Sequence, residues 1–194
     1  MSTDPTVPDR VLLARWHAGD HGAARHLIDR YTGRLHRFFA GKTTQGADEL
    51  VQETLAACVG AYAHIVDDGD RNRFRAFVFT VARRKLLNHF RHWRRHGARF
   101  DPITHSVADM QAGASTAVAR LETRRRLQLA LRRLPLDAQI ALELHYWEGL
   151  RVAEIAAVVD APVGTVKARL ARARQRLRTH LESDASDADC ASGH

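Results

Sequence analysis

The pattern with the clearest chemical meaning is a run of cationic and aromatic side chains between residues 71 and 99. Arginine and lysine recur along this run without any aspartate or glutamate, and they are interleaved with Phe74, Phe77, Phe79, Phe90 and Trp93. Cationic side chains follow the phosphates of nucleic acid, while aromatic rings stack on unpaired bases. The run therefore predicts a surface that holds strand-separated DNA.

A second pattern, from residue 152 to residue 178, joins a short apolar helix, a tight turn and a second helix that opens with small residues before a basic run. This arrangement predicts a helix-turn-helix, which places its second helix in the major groove of DNA. The apolar contacts between its helices are expected at Ile155, Val159, Val166 and Leu170. The exposed reading face is expected at Thr165, Lys167, Ala168, Ala171 and Arg172. A plain helical hairpin with solvated arginines is the alternative, and the small residues ahead of the arginines disfavour it.

Two groups have the residue types of a metal site but not its surroundings. His89, His92 and His96 are spaced so that one helix face could present them to zinc. Arginines flank them and no carboxylate or thiol is near, so we interpret them as solvated or hydrogen-bonded histidines. An acidic cluster at residues 67–70 has no second carboxylate group beside it. We therefore predict no metal, no cofactor and no catalytic site.

Helices must position these motifs, because apolar residues recur at helical spacing and no strand alternation occurs. Before residue 96 we expect two helices that are separated near residues 17–21, a third that opens at Asp48 or the residue before it, and a fourth from Phe74 to Trp93. The buried side of the fourth is expected to carry Phe77, Val78, Val81, Leu86, Leu87 and Phe90. Four more helices are expected near residues 117–134, 137–147, 152–159 and 163–181.

The stretch from residue 97 to residue 115 contains glycines and a proline, and its apolar residues do not recur at a regular spacing. This composition is typical of a linker. The predicted fold class is therefore all-α, with two small helical domains joined by a flexible linker. The predicted divisions are a disordered leader at 1–9 in which Asp9 caps the first helix, a first domain at 10–96, the linker at 97–115, a second domain at 116–182 and a disordered acidic tail at 183–194.

The overall charge agrees with a polyanionic partner. Among 194 residues, 30 are Lys or Arg and 22 are Asp or Glu, which gives a net charge of +8. The two cysteines are too few for a disulfide framework and fit a reducing compartment. We see neither a signal-peptide pattern nor an apolar run long enough to span a membrane, so we expect a cytoplasmic protein.

With these motifs in place, the chain resembles the extracytoplasmic-function sigma factors of bacterial RNA polymerase. Two signatures carry the resemblance. The segment Asp48-Glu-Leu-Val-Gln-Glu-Thr is similar to the family's polymerase-binding helix. The segments Tyr146-Trp-Glu-Gly-Leu-Arg-Val-Ala-Glu-Ile-Ala and Pro162-Val-Gly-Thr-Val-Lys-Ala-Arg-Leu are similar to its upstream promoter reader. The order of the two signatures along the chain and the distance between them strengthen the resemblance.

The resemblance implies that the first domain is sigma region 2, a helical bundle that binds core polymerase and melts the −10 element, and that the second is sigma region 4, which reads the −35 element. The implied partners are core polymerase and promoter DNA. Core polymerase would be contacted through the coiled coil of its largest subunit and through its flap region. An anti-sigma factor is a further implied partner. Expected contacts with polymerase are Glu49, Gln52 and Glu53. Expected contacts with the −10 element are Arg71, Arg73, Phe74, Arg75, Arg83, Arg84 and Asn88. Expected contacts with the −35 element are Thr165, Lys167, Ala168, Arg169, Arg172 and Arg174.

Two other functions would use parts of the same pattern. A transcription regulator that binds an operator through the same helix-turn-helix, usually as a symmetric dimer, would leave the first domain unexplained. A metal-dependent nuclease would need clustered carboxylates beside a basic cleft, and residues 67–70 alone do not supply them.

The length of the linker yields a prediction. At about 3.3 Å per residue, the stretch from Gly97 to Ala114 spans roughly 60 Å when extended. Deleting about half of it should abolish initiation, since the two domains would no longer reach separate promoter elements, while both domains still fold. Transcription assays and circular dichroism of the deletion variant check this. Full activity on the native promoter would contradict it.

Overall fold

The computed structural model describes residues 7–43, 45–65, 73–95 and 116–191, and within the last range it leaves out the side chains of 116–122, 124 and 184–191. These ranges contain α-helices and a single 3₁₀ turn at Tyr62–His64, without any strand. The helices are α1 Asp9–His17, α2 His21–Ala40, α3 Ala47–Ala61, α4 Arg73–Arg95, α5 Thr116–Arg132, α6 Leu136–Tyr146, α7 Val152–Val159 and α8 Val163–Ala191. The predicted all-α fold class is confirmed.

Helices α1 to α4 form the first unit around an aromatic core. Tyr31 on α2 meets Phe74 on α4 edge to face, with ring centroids 5.3 Å apart, and Phe38 meets Phe79 in the same way at 5.4 Å. Trp16 at the end of α1 stacks on Tyr62 with the ring centroids 4.2 Å apart. Such ring pairs add to the hydrophobic gain from burying each side chain, which is about 2 kcal/mol or more per large residue.

The buried side of α4 agrees with the predicted one at Val78 and Leu86 and differs elsewhere. Phe77, Val81 and Phe90 are only partly buried. The fully buried residues are Phe74, Val78, Phe79, Ala82 and Leu86. The physical reason is that α4 packs against both α3 and α7, so the side removed from water is set by two partners and not by the spacing of apolar residues within the helix alone.

Helices α5 to α8 form the second unit, and α7 and α8 form the predicted helix-turn-helix. Ile155, Val159, Val166 and Leu170 are buried, as expected. The turn between the helices depends on Asp160, which adopts a left-handed conformation with φ 52°. This conformation directs the chain from α7 into Pro162 and the first turn of α8, where the Val166 N–H donates to the Pro162 carbonyl at 3.1 Å.

The two units pack against each other. Helix α7 of the second unit lies on α4 of the first, and the buried apolar side chains of both units form one continuous core. At its edge, the Lys42 ammonium donates to the Glu143 carboxylate. The sequence pattern predicted two units but no contact between them. The predicted linker at 97–115 lies outside the described residues.

Two predicted boundaries are wrong. Helix α1 begins at Asp9, with Pro8 at the capping position, so Asp9 does not belong to a leader. Its carboxylate instead accepts hydrogen bonds from Arg30 and Tyr31 within the first unit. Helix α8 continues to Ala191, so the acidic segment predicted as a disordered tail is helical up to that residue.

Replacing Asp160 tests the turn. Asp160→Gly should raise the free energy of unfolding by about 0.5–1 kcal/mol, because glycine adopts the left-handed conformation without steric cost. Asp160→Val should lower the free energy of unfolding by more than Asp160→Gly raises it, because a β-branched side chain disfavours positive φ. Ala157→Gly, on the exposed side of α7, is the matched control and should cost about 1 kcal/mol. Urea unfolding measures all three, and destabilisation by Asp160→Gly would contradict the argument.

Candidate nucleic-acid interface

The first turns of α8 present an exposed face, which contains the residues predicted to read DNA. Thr165, Lys167, Ala168, Ala171 and Arg172 are all exposed, while Val166, Leu170 and Ala173 hold the opposite side of the helix in the core. Helix α7 supports this face, because the Glu154 carboxylate accepts the Arg151 backbone N–H at 2.6 Å and fixes the start of the helix. The exposed helix end also offers backbone N–H groups, which attract phosphate.

The basic residues of α4 divide into two groups. One group is exposed and shares one side of the helix, because its members are separated by eleven, four and three residues. It consists of Arg73, Arg84, Asn88 and Arg91. Arg75 and Arg83 project on another side and are engaged with the second unit. The structure therefore does not bring the predicted −10 residues together on one surface, and Arg71 lies outside the described residues.

Phe74, which was expected to contact DNA, lies in the core. Its side chain is 5% exposed and packs against Tyr31. A stacking role would require a free ring face, which Phe74 does not offer in this structure. The residue is therefore assigned to the core of the first unit.

Arg75 connects three parts of the molecule. Its Nη1 donates to the backbone carbonyl of Glu148 at 2.6 Å, and its Nη2 lies 3.7 Å from the Asp9 carboxylate. The Glu148 carboxylate also lies 3.3 Å from Arg34, and burial raises the pKa of this carboxyl while Arg34 and Arg75 oppose the shift. Burial and the adjacent Asp9 raise the pKa of Tyr31 above its ordinary value, so the phenol stays protonated and donates to Asp9.

Asp137 lies between two arginines that were predicted to contact different DNA elements. One carboxylate oxygen is 3.4 Å from Nη2 of Arg83 on α4, and the other is 3.7 Å from Nη2 of Arg169 on α8. The carboxylate thus lies between two guanidinium groups. The side chains of Arg83 and Arg169 are 17% and 23% exposed, and that of Asp137 is 44% exposed.

Sequence reasoning missed the residues that join the units. Lys42 has a side chain that is 0% exposed, and it contacts Glu143, the Phe38 carbonyl and the Phe38 ring. Burial lowers the pKa of Lys42 and raises that of Glu143, and each group opposes the other's shift. One available signal was α7, whose eight residues are apolar except for Glu154, a composition typical of a helix buried on several sides.

The face predicted to bind polymerase is exposed on α3. Glu49, Gln52 and Glu53 all lie in contact with solvent. Glu53 pairs with Lys85 of α4 at 2.9 Å, and both side chains are at least one-third exposed, so the pair contributes little to stability. Burial lowers the pKa of the neighbouring His89, with Glu49 opposing it.

The described residues contain no group of three or more histidine, cysteine or acidic side chains that could hold a metal ion. Of the metal candidates, His96 and residues 67–70 lie outside the described residues. Within the described part of the chain, no helix combines the length and the apolar character needed to cross a membrane.

The chain is similar to known families in both of its units. The family model Sigma-70 region 2 matches residues 25–96, and the model Sigma-70, region 4 matches residues 124–177. The ECF RNA polymerase sigma factor SigM of Mycobacterium tuberculosis H37Rv is 31% identical over 172 residues, which cover 87% of this chain and 82% of SigM. The ECF RNA polymerase sigma-E factor of Escherichia coli K12 is 26% identical over 185 residues, which cover 91% of this chain and 95% of that sigma-E factor.

Solved structures give the same picture. CnrH in complex with the cytosolic domain of CnrY aligns with a TM-score of 0.60 at 27% identity over 91% of this chain and 98% of CnrH. The sigma factor RpoE of Bartonella quintana, solved with the anti-sigma factor NepR, shares the fold with a TM-score of 0.65 at 22% identity, over 82% and 97% of the two chains. Because both units match sigma-70 models in chain order and the similarity to SigM spans most of both proteins, the chain belongs to the family of extracytoplasmic-function RNA polymerase sigma factors.

Proposed function

We propose that this sigma factor binds core RNA polymerase and directs it to promoters, with the first unit contacting the −10 element and the second unit contacting the −35 element. The exposed reading face of α8 is the observation that carries the proposal, because its small leading residues and following arginines suit a major groove. The protein acts on DNA by recognition and has no catalytic role of its own.

In the second unit, Thr165, Lys167, Ala168 and Arg172 read the bases of the −35 element. Arg174 and Arg178 lie further along α8, are exposed, and hold phosphates. Arg169 joins them once it is released from Asp137. The same unit meets the flap region of polymerase, by analogy with the family.

In the first unit, the exposed side of α4 contacts the −10 element through Arg73, Arg84 and Asn88. Arg75 and Arg83 contribute when they are not engaged with the second unit, and Arg71 precedes the same helix. Arginines in this arrangement follow the backbone of separated strands, while the partly buried Phe77 and Phe90 offer ring edges to bases.

On α3, Glu49, Gln52 and Glu53 bind the coiled coil of the largest polymerase subunit. A carboxylate and amide patch on a protein of net charge +8 is suited to an arginine-bearing partner. The protein works in the cytoplasm, where polymerase and promoter DNA are found. An anti-sigma factor is a further partner, as NepR is for the RpoE of Bartonella quintana.

Reconstituted transcription tests the proposal. Sigma-free core polymerase with genomic DNA fragments should yield new transcript starts that depend on this protein. If no start depends on it while the protein still binds specific duplex sites, it acts as an operator-binding regulator instead. Magnesium-dependent cleavage of DNA by the pure protein would point to a nuclease.

Substitutions on α8 separate base reading from phosphate contact. Alanine at Lys167 or Arg172 should cost about 1–3 kcal/mol of binding free energy and relax preference at particular upstream bases. Alanine at Arg174 or Arg178 should weaken binding to all sequences. It should also reduce the dependence of the binding affinity on salt, because fewer counterions are released when fewer phosphates are contacted. Binding to a library of upstream elements measures both effects. Identical preference profiles for the two pairs of variants would contradict the assignment.

A double substitution tests the polymerase-binding face. Gln52→Ala with Glu53→Lys should sharply weaken capture of core polymerase, because it removes an amide and reverses a charge at the contact. Thermal stability should change little, because both side chains are exposed and the Glu53–Lys85 pair is a surface pair. Asp29→Lys, on the exposed side of α2, reverses one charge elsewhere and is the matched control. Wild-type affinity of the double variant for core polymerase would show that this face is only a solvated surface.

A further inference from the structure

Arg151 holds a position in the helix-turn-helix that helix stability does not explain. It caps α7 with φ −71° and ψ 155°, and its side chain makes no capping hydrogen bond there. Residues favoured at this position have a side-chain oxygen that accepts an N–H of the first turn, whereas a guanidinium group can only donate. A cation is also unfavourable at this end of a helix, because the helix dipole is positive there. By capping alone, a serine or an asparagine would stabilise α7 more than this arginine does.

Glu154 holds the Arg151 side chain in one orientation. Nε and Nη2 of Arg151 donate to one oxygen of this carboxylate at 2.9 and 2.6 Å, while the Arg151 backbone N–H donates to the other oxygen. The Glu154 side chain is 9% exposed and the Arg151 side chain is 67% exposed, so the carboxylate is covered and the guanidinium group stays at the surface. An ion pair with so exposed a member contributes little to stability. Its main effect is to fix the direction of an exposed cation.

The loop before α7 fixes the backbone of Arg151 as well. The Leu150 N–H donates to the Leu144 carbonyl at 2.9 Å, and the Leu150 carbonyl lies 3.2 Å from Nδ1 of His145. Gly149 adopts the left-handed conformation that this reversal of the chain requires, with φ 66°. Backbone and side chain together therefore place the Arg151 guanidinium group at one defined point on the second unit.

We propose that Arg151 is a further DNA contact of this protein, which binds a backbone phosphate at the edge of the groove that α8 enters. This inference rests on the proposed function. In a helix-turn-helix the second helix lies in the major groove, while the first helix crosses the backbone beside it. Helix α7 has eight residues and is about 12 Å long, and the major groove is about 12 Å wide. Arg151, at the end of α7 that lies away from the turn at Asp160, thus reaches the phosphates that border the groove.

The chemistry of the group fits this ligand. A guanidinium group binds phosphate through short, charge-assisted hydrogen bonds, and an arginine whose orientation is already fixed loses less entropy when it binds. A phosphate next to Arg151 would also be attracted by the positive end of the α7 dipole, which disfavours the arginine when it is alone. The contact carries no base specificity and sets the register of the second unit on the duplex.

Arg151→Ser separates a DNA contact from a purely structural role. Serine caps a helix well and would form a Ser-x-x-Glu capping box with Glu154, so the variant should unfold at the wild-type temperature or above it. Its holoenzyme should nevertheless bind promoter DNA roughly three- to tenfold more weakly, whatever the upstream sequence, and the slope of log affinity against log salt should fall by about one. Arg25→Ser, exposed on α2, removes the same charge far from the helix-turn-helix and should leave this slope unchanged.

Neutral phosphates locate the contact. In the upstream element of the promoter, one phosphate at a time is replaced by a methylphosphonate, which removes its charge. At the phosphate that Arg151 contacts, the replacement should weaken binding of the wild-type holoenzyme by about the same factor as Arg151→Ser. The same replacement should not weaken the binding of the variant further, because the contact is already lost. This phosphate should differ from the one to which Arg174→Ala becomes insensitive.

Two results would overturn the proposal. One is that Arg151→Ser holoenzyme binds as tightly as wild type at every salt concentration. The other is that it remains sensitive to every methylphosphonate that affects wild type. If the serine variant does not fold, Arg151→Asn, which also suits a helix cap, takes its place in both measurements. Failure of the proposed function looks different, because the wild-type holoenzyme would then select no promoter, and this would overturn both.

Discussion

The buried pair of Lys42 and Glu143 is the interaction on which the arrangement of the molecule depends. It joins the end of α2 to the middle of α6, two places that lie 101 residues apart in the chain. Burying two charges costs desolvation energy, so such a pair adds little net stability, yet removing one partner typically costs about 3–5 kcal/mol. Its main effect is therefore on geometry, because only one relative placement of the two units keeps both charges satisfied.

Helix α7 shows how that placement is used. With eight residues it is the shortest α-helix in the described part of the chain, and it packs on α8 while also covering α4. A helix of the predicted helix-turn-helix thus covers part of the helix that is predicted to contact the −10 element. Because α7 packs on both neighbours, the helix-turn-helix and the first unit share an apolar core, and their separation would expose apolar surface as well as the charged groups at its edge.

The arginines show how one type of side chain can serve both contacts within the protein and contacts with nucleic acid. A guanidinium group binds carboxylate and phosphate with the same planar set of donors. Arg83 and Arg169 bind a carboxylate here, and Arg75 donates to a backbone carbonyl. A basic protein can in this way satisfy much of its cationic surface internally, and the exposed side of α4 and the first turns of α8 are left for contact with other molecules.

The sequence by itself determined the helices, the helix-turn-helix and its buried set, and the family, because all of these depend on short-range periodicity and local turn chemistry. It placed the ends of α1 and α8 wrongly, since Asp9 is held by partners on α2 and the acidic end of α8 continues an established helix. Only the tertiary structure decided that Phe74 is core, that Arg75 and Arg83 face the second unit, and that Lys42 is buried. Each of these outcomes depends on groups that lie far apart in the chain, and a residue's spacing within its own helix carries no information about which distant surface will cover it.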